Sequence, residues 1–389
     1  MGIDRSKRPE RAILVGVAVG RIKPHVAQEH LAELQRLAET AEAEVVATFL
    51  QKMASYNPST LIGEGKVVEV SEAAKTLEAD LVIFDVDLSG SQIKNLEERM
   101  PGIKVLDRTG IILDIFARHA RTHESRIMVE IAQMEYMMPR LTRAWTHLCR
   151  QVGGIGTRGP GESQLEVDRR AIRGRVQDLK KKLKKIEQAR EMQADRREDA
   201  FHIAIVGYTN AGKSTLTNRL TGAGVLVEDK LFATLDSTTR KLFIAPGKAV
   251  ILSDTVGFIR KLPHHLVEAF RSTLGVVSSA DCVLEVLDSS APDYQEHMEV
   301  TQHVLSTLVD AETPRLRVFN KADAAEPTRR DELQANYPEA QQISALENIG
   351  MEALKSQILA LVDAWEVKRK AQAVELEAAA AERAEWENV

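Results

Sequence analysis

The chain has 389 residues, enough for two or three ordinary domains and too many for one small binding module. It carries 52 lysines and arginines against 57 aspartates and glutamates, so a uniformly basic nucleic-acid-binding protein is excluded, whereas a local basic patch is not. Its two cysteines, Cys149 and Cys282, permit neither a disulfide framework nor a cysteine-based zinc site, which is typical of a reducing cytosol. No apolar run approaches the roughly 18 residues of a membrane-spanning helix, and the short apolar run near the N-terminus is interpreted as a strand rather than a signal peptide.

Residues 1–110 are predicted to form an N-terminal α/β domain. Short apolar runs alternate with helical patterns, which predicts parallel strands joined by crossover helices. The domain contains a glycine-bearing loop, Asn57 to Lys66, for which a structural turn and a ligand or RNA contact are both open interpretations. The predicted strands are 13–19, 45–50, 81–86 and 104–106.

Residues 111–200 show no strand pattern. Residues 111–138 are predicted to form one long helix, and residues 165–197 form a second with a single apolar stripe. A glycine-rich loop, Gly153 to Glu162, separates them, because no helix runs through so many glycines. The pattern predicts an antiparallel helical hairpin.

Basic residues are concentrated in this predicted hairpin. Between positions 140 and 185 there are 13 arginines and lysines against 4 carboxylates. A solvated helix face is the ordinary interpretation, but cations on both sides of an exposed loop also suit a nucleic-acid backbone. The residues predicted to contact RNA are Arg158, Arg169, Arg170, Lys180, Lys181 and Lys182.

A phosphate-binding loop begins the next domain, residues 201–365. A predicted strand leads into the GxxxxGK[ST] motif and then into a helical stretch, which is the context that this motif requires. Backbone N–H groups and the helix N-terminus would bind phosphates, Lys213 would contact the β and γ phosphates, and the Ser214 hydroxyl would be a Mg²⁺ ligand. The motif comprises Gly207, Tyr208, Thr209, Asn210, Ala211, Gly212, Lys213 and Ser214.

Three further motifs follow predicted strands of the same domain. In the DxxG segment, Asp254 would hold Mg²⁺ through water and the Gly257 N–H would reach the γ-phosphate. The Asp323 carboxylate can accept hydrogen bonds from N1 and N2 of guanine, which selects GTP over ATP. Four motifs at strand ends predict a doubly wound, mostly parallel sheet with its ligand crevice at one edge. The remaining predicted nucleotide-binding residues here are Thr255, Val256, Asn320, Lys321, Ala322, Ser344, Ala345 and Leu346.

The segment Leu231 to Arg240, LFATLDSTTR, resembles the FATLDPTTR switch I segment of the HflX family of GTPases, with Ser237 in place of the usual proline. The loop that begins at Gly153 resembles the GxxGxRGPGExxLE signature of that family, and Asn57 to Lys66 resembles its N-domain loop. The resemblance covers about residues 10–365. It implies that Thr234 closes on Mg²⁺ and that its neighbours Phe232, Ala233, Leu235 and Asp236 belong to the nucleotide site.

The resemblance further implies a cytoplasmic, translation-factor-related GTPase that binds the large (50S) ribosomal subunit and its rRNA. Such a protein splits or rescues stalled or idle ribosomes under stress, with GTP hydrolysis stimulated by the ribosome. We expect GTP and GDP as ligands, Mg²⁺ as cofactor, no membrane or DNA partner, and a monomer by default. The alternative is an RNA-remodelling, helicase-like NTPase acting on rRNA. The Ala/Glu-rich tail, residues 366–389, is expected to be a frayed helix or disordered, and the short C-terminal domain of the family is absent or reduced.

Lys213, Thr234 and Gly257 are the predicted catalytic residues. Phe258 occupies the position after DxxG at which a water-orienting glutamine is usual, and a phenyl ring cannot orient water by hydrogen bonding. The hypothesis is therefore slow intrinsic hydrolysis that a partner accelerates by ordering the switches. Asn210 is a candidate ligand of K⁺, which would supply extra positive charge, and the alternative is a neutral loop residue.

Overall fold

The structure is a computed structural model that describes residues 8–20, 23–141, 164–194, 200–222, 230–261 and 271–387. The described residues fall into two compact units. The first unit contains those up to Glu191 together with Lys230–Leu235. The second contains those after Glu191, with the exception of Lys230–Leu235 and of Arg271.

The N-terminal part of the first unit is a four-stranded parallel sheet in the order β2-β1-β3-β4. Apolar side chains such as Ile13, Val15 and Phe84 are buried between this sheet and its helices, which confirms the predicted alternation of strand and helix. The elements are β1 (Arg11–Val19), α1 (Pro24–Thr40), β2 (Glu44–Met53), α2 (Glu64–Thr76), β3 (Leu81–Phe84), α3 (Gly90–Arg99) and β4 (Lys104–Asp107).

The loop that follows β2 uses its polar groups internally. The Asn57 carboxamide oxygen accepts from the Ser59 N–H at 2.8 Å, and the Asn95 amide donates to the Ser59 carbonyl at 3.0 Å. The Gly63 N–H donates to the Gln51 side chain at 3.0 Å. These bonds favour the structural-turn interpretation of Asn57 to Lys66, because groups already paired are not offered to a ligand.

The helical part of the first unit differs from its prediction. The single helix predicted over residues 111–138 is wrong: α4 (Arg108–His119) and α5 (His123–Met137) are separate helices. Ala120 leaves the helical conformation, and the Thr122 hydroxyl accepts from the Ser125 N–H as the N-cap of α5. A short 3₁₀ turn at Met138–Arg140 follows, and α6 spans Gln164–Ala194.

Helices α5 and α6 pack through the apolar side chains of Ile127, Ile131, Val176 and Leu179. Two ion pairs lie beside this seam: Arg175 with Glu130 at 2.8 Å and Lys180 with Glu135 at 2.7 Å. The antiparallel direction of the two helices stays a prediction.

The second unit is built on a six-stranded sheet in the order β10-β9-β8-β5-β7-β6. All neighbouring strands are parallel except β6 with β7, which confirms the mostly parallel, doubly wound sheet. The elements are β5 (Phe201–Gly207), α7 (Lys213–Thr221), β6 (Thr238–Ala245), β7 (Lys248–Asp254), α8 (Arg271–Ser278), β8 (Cys282–Asp288), α9 (Tyr294–Leu308), β9 (Arg315–Asn320), α10 (Pro327–Asn336), β10 (Gln341–Gln342) and α11 (Met351–Glu387).

Helix α11 crosses the domain boundary that was predicted at residue 365. Its first turns are part of the core of the second unit through Leu354, Ile358 and Val362, and the Trp365 indole donates to Asp281 at 3.1 Å. The helix continues through the predicted tail to Glu387, as expected of a sequence rich in alanine and glutamate. Among the described helices, none has the length and apolar character needed to cross a membrane.

Candidate nucleotide-binding site

The phosphate-binding loop lies between the carboxyl end of β5 and the first residue of α7. Gly207 and Gly212 both have positive φ angles, +152° and +88°. A Cβ at Gly207 would lie 2.1 Å from the Val286 carbonyl oxygen, and one at Gly212 would lie 2.3 Å from the Asn320 amide nitrogen. Both positions therefore require glycine, because the loop backbone passes directly against β8 and the end of β9.

Lys213 is the first residue of α7, and its side chain is 6% exposed. The ammonium group donates to the Tyr208 carbonyl at 2.9 Å, which fixes it beside the loop. Burial lowers the pKa of Lys213 to about 8, although the nearby Asp254 carboxylate opposes the shift. The Lys213 ammonium group is thus desolvated, and a phosphate bound beside it would favour its charged form.

Ser214 and Asp254 form the part of the site that suits a metal ion. The Ser214 hydroxyl donates to Asp254 Oδ2 at 2.6 Å, and burial raises the pKa of the Asp254 carboxyl. Asp254 Oδ1 is buried and has no hydrogen-bond partner within the described part of the chain. A buried carboxylate oxygen without a partner is costly, and together with the hydroxyl beside it this oxygen offers the hard-oxygen donors that Mg²⁺ prefers.

The two segments predicted to bind the base, one at the end of β9 and one after β10, meet beside Ala211 of the phosphate loop. The Asn320 amide nitrogen donates to the Ala211 carbonyl at 2.9 Å, and its oxygen accepts from the Ala345 N–H at 3.0 Å. One side chain thereby joins the phosphate loop, the end of β9 and the segment after β10. Of the other predicted base-site residues, Asp323 and Leu346 are exposed, whereas Ala322 and Ser344 are buried. The Ser344 hydroxyl accepts a hydrogen bond from the Glu347 N–H.

Two residues of this region, Asp288 and Arg219, were not predicted from the sequence. Asp288 pairs at 2.6 Å with the ammonium group of Lys321, a predicted site residue whose φ angle is +62°. Arg219 on α7 donates to the Ala345 carbonyl at 2.8 Å. Asp288 ends β8, so the rule that ligands bind at the carboxyl ends of parallel strands could have identified it. Nothing in the sequence marks Arg219, because its contact depends on how α7 packs.

The DxxG segment lies directly against the phosphate loop. The Thr209 N–H donates to the Phe258 carbonyl at 2.7 Å, and the Phe258 N–H donates to the Gly207 carbonyl at 3.1 Å. A Cβ at Gly257 would lie 2.6 Å from Thr209 Cα, so only glycine fits there. Thr255 and Val256 are buried, and Phe258 is 1% exposed. The side chain at the usual place of the water-orienting glutamine is therefore enclosed in the protein.

The first half of the switch I segment, Leu231–Leu235, belongs to the first unit, and Asp236 to Arg240 belong to the second. The Leu231 N–H donates to the Thr40 hydroxyl at 3.3 Å, and the Phe232 ring packs edge-to-face on Phe116 with centroids 4.8 Å apart. Phe232 has a φ angle of +56°, an uncommon conformation for an aromatic residue, and its side chain is buried. Ala233 is exposed. The Mg²⁺ contact of Thr234 remains a prediction.

Most of the predicted RNA-contacting residues lie on α6. Arg170, Lys180, Lys181 and Lys182 are exposed, and Arg169 is half-buried. Lys180 pairs with Glu135, and Lys181 lies 3.9 Å from Asp178. Arg158 and the glycine-rich loop lie outside the described residues.

A mostly parallel sheet with a phosphate loop, a DxxG segment and an NKxD loop (Asn320 to Asp323) at its carboxyl edge defines a P-loop GTPase. Comparison with protein-family models agrees. Residues 28–117 match the model described as GTP-binding GTPase N-terminal, residues 119–197 match GTP-binding GTPase Middle Region, and residues 202–321 match 50S ribosome-binding GTPase.

Individual relatives specify the family. The chain is 50% identical to the GTPase HflX of Caldanaerobacter subterraneus subsp. tengcongensis over 353 residues, 90% of this chain and 80% of that protein. It is 43% identical to the GTPase HflX of Escherichia coli (strain K12) over 355 residues, 90% and 82% of the two chains. The chain belongs to the HflX family of GTPases, as its sequence motifs predicted.

A solved structure is similar over nearly the whole chain. The crystal structure of SsGBP in complex with GDP superposes with a TM-score of 0.52 and 25% identity, covering 90% of this chain and 98% of that one. The likeness supports the α/β fold with its GTP-binding domain and, with the family assignment, an enzyme that hydrolyses GTP.

Proposed function

We propose that this GTPase binds the large ribosomal subunit in the cytoplasm and uses its nucleotide state to split or rescue stalled or idle ribosomes under stress. The observation that carries the proposal is the match of residues 202–321 to the 50S ribosome-binding GTPase model, in a chain that belongs to the HflX family. A monomer is the proposed active form.

The basic face of α6, defined as Arg169, Arg173, Lys180 and Lys184, supports contact with rRNA. Spacings of four, seven and four residues place these cations along one side of the helix. Arg173 and Lys184 make no ion pair with any carboxylate whose side chain the structure describes. Cations in such a row suit phosphate groups along a nucleic-acid backbone. Arg170, Lys181 and Lys182 lie further around the same helix.

At the nucleotide, we assign Mg²⁺ to Ser214, Thr234 and, through water, Asp254. Mg²⁺ would neutralise charge on the β and γ phosphates, and Lys213 and the Gly257 N–H would add to this from the protein side. Asn210, with a φ angle of +62°, is the proposed K⁺ ligand. Because Phe258 is enclosed, intrinsic hydrolysis is expected to be slow until the ribosome orders the switches.

The RNA-remodelling alternative gains no support from the N-terminal sheet. Its glycine-bearing loop pairs its polar groups internally, as described above, and the sequence there has no phosphate-loop motif. ATP hydrolysis stimulated by free rRNA would favour that alternative over the proposal.

Sucrose-gradient sedimentation of intact 70S ribosomes with the protein tests the proposal. With a non-hydrolysable GTP analogue, we expect 70S particles to separate into subunits and the protein to sediment with the 50S fraction. Intact 70S peaks and unbound protein in every nucleotide state would contradict ribosome splitting.

A matched pair of variants tests the basic face of α6. Arg173→Glu with Lys184→Glu should weaken binding to 50S subunits by at least tenfold at about 0.1 M salt, because phosphate contacts dominate such affinities. Lys368→Glu with Lys370→Glu on α11 changes the net charge equally and should leave binding within about twofold. Equal losses in both variants would show that only net charge matters.

A further inference from the structure

Tyr208, the second residue of the phosphate loop, uses its side chain to hold the DxxG segment. The ring is 4% exposed and stacks on the His297 imidazole of α9, with centroids 3.6 Å apart and planes inclined by 15°. Its hydroxyl accepts a hydrogen bond from the Arg260 N–H at 2.8 Å. The ring therefore links the phosphate loop, α9 and the chain that follows DxxG.

The Arg260 side chain also holds the segment that follows DxxG. Its guanidinium group is almost fully buried and pairs with Glu296 at 2.9 Å and with Asp293 at 3.3 Å. Asp293 also contacts His297 at 3.2 Å, so the imidazole that stacks on Tyr208 is held by the carboxylate that holds Arg260. We call the DxxG segment together with the residues up to Arg260 switch II, and we refer to Tyr208, Arg260, Asp293, Glu296 and His297 as the switch II anchor.

Hydrogen bonds on both sides of Gly257 hold the backbone at this residue. On its N-terminal side, the Thr255 hydroxyl donates to the Ile205 carbonyl at 2.7 Å. On its C-terminal side, Phe258 exchanges backbone hydrogen bonds with the phosphate loop and Arg260 is held by Tyr208. Residues 252–260 are buried throughout. Protein contacts on both sides thus hold the peptide whose N–H is assigned to the γ-phosphate.

We propose that Tyr208 and Arg260 are positioning residues for GTP hydrolysis, which act by fixing the Gly257 N–H toward the γ-phosphate. Because Phe258 cannot orient water, stabilisation of the transferring phosphoryl group depends more heavily on fixed backbone donors. Donors that are held in advance need no reorganisation at the moment of reaction, whereas a loosened segment must be ordered each time. The inference requires GTPase activity alone and is independent of any ribosomal role.

The test compares Tyr208→Phe with Tyr294→Phe in the full-length protein without ribosomes. Tyr208→Phe keeps the stacked ring and removes only the hydroxyl that accepts from Arg260. Tyr294 neighbours the anchor on α9, but its hydroxyl bonds only weakly to Gln295, at 3.3 Å, so it is the matched control. We expect kcat for GTP to fall about 5- to 20-fold in Tyr208→Phe and to stay within about twofold in Tyr294→Phe.

Binding measurements separate positioning from simple loop damage. GDP has no γ-phosphate, so its affinity should remain within about twofold in Tyr208→Phe, whereas a non-hydrolysable GTP analogue should bind several-fold more weakly. Amide hydrogen exchange at Phe258 and Arg260 should accelerate in the same variant while the melting temperature is retained. Arg260→Met should lose more kcat than Arg260→Lys, because lysine keeps the charge that Asp293 and Glu296 require.

An unchanged or increased kcat in both Tyr208→Phe and Arg260→Met would overturn the proposal. So would parallel losses of GDP and GTP-analogue affinity, since they would show that Tyr208 only shapes the phosphate loop.

Discussion

Lys213 shows how burial prepares a single side chain for a phosphate. In the free protein its pKa is lowered to about 8, so the ammonium group loses its proton as the pH rises through that value. A bound phosphate favours the charged form, so nucleotide binding above pH 8 must take up a proton. The affinity for GDP should therefore be nearly constant below pH 8 and decrease above it.

Calorimetric titration with GDP in EDTA checks this expectation without interference from a metal ion. The Kd should rise about fivefold between pH 8 and pH 9, with uptake of a proton that is visible when buffers of different ionisation enthalpy are compared. Lys213→Met should bind GDP more weakly and show no such rise. A Kd that stays constant up to pH 9 in the unaltered protein would contradict the pKa shift.

Asp323 is expected to select the base. Guanine offers two N–H donors to its carboxylate, and the structure leaves this side chain exposed for a ligand. Asp323→Asn should lower GTP affinity by 100-fold or more, because a site built for two donors discriminates strongly when one partner is wrong. Xanthosine triphosphate carries a carbonyl in place of the amino group and should bind the variant better than GTP does. Competition against a fluorescent nucleotide measures both affinities, and unchanged selectivity would remove Asp323 from the base contact.

At the scale of elements, Asp107 joins β4, α4 and the end of α5. Its carboxylate is fully buried and accepts from the Gly110 and Leu88 N–H groups, from the Tyr136 hydroxyl at 2.6 Å and from Arg140 at 2.9 Å. Asp107→Ala should lower the free energy of unfolding by about 3 kcal/mol or more, because it leaves buried donors unpaired.

Urea denaturation followed by circular dichroism measures this loss. Asp114→Ala is the control, because Asp114 forms an exposed pair with Arg118 on α4 and should cost at most about 1 kcal/mol. Equal costs for the two variants would show that Asp107 does not join these elements.

The elements also show what sequence patterns can and cannot predict. The phosphate loop, the DxxG segment and the NKxD loop were predicted because each motif is a short run whose local backbone is specified by its own residues. The direction of α6 relative to α5 stays a prediction, because an apolar stripe specifies which face packs but not which way the partner runs. The break at Ala120 was missed although its signal is local, since the Thr122 hydroxyl caps α5 by accepting from the Ser125 N–H. The switch II anchor was missed because it depends on contacts between residues distant in sequence.

At the scale of the whole molecule, the two units carry different chemistry. The second contains the phosphate loop, the DxxG segment and the two segments predicted to bind the base, and the first contains the basic face of α6 together with Leu231–Leu235 of the switch I segment. The proposed function is that of a GTPase whose slow intrinsic hydrolysis is triggered by the large ribosomal subunit.

The rate of GTP hydrolysis by the purified protein, with and without isolated 50S subunits, tests that claim most directly. We expect a slow intrinsic rate and an increase of two or more orders of magnitude with 50S subunits, as when a partner completes a GTPase site. Isolated 30S subunits are the control and should have little effect. Rapid turnover by the protein alone, or no stimulation by 50S subunits, would contradict the account.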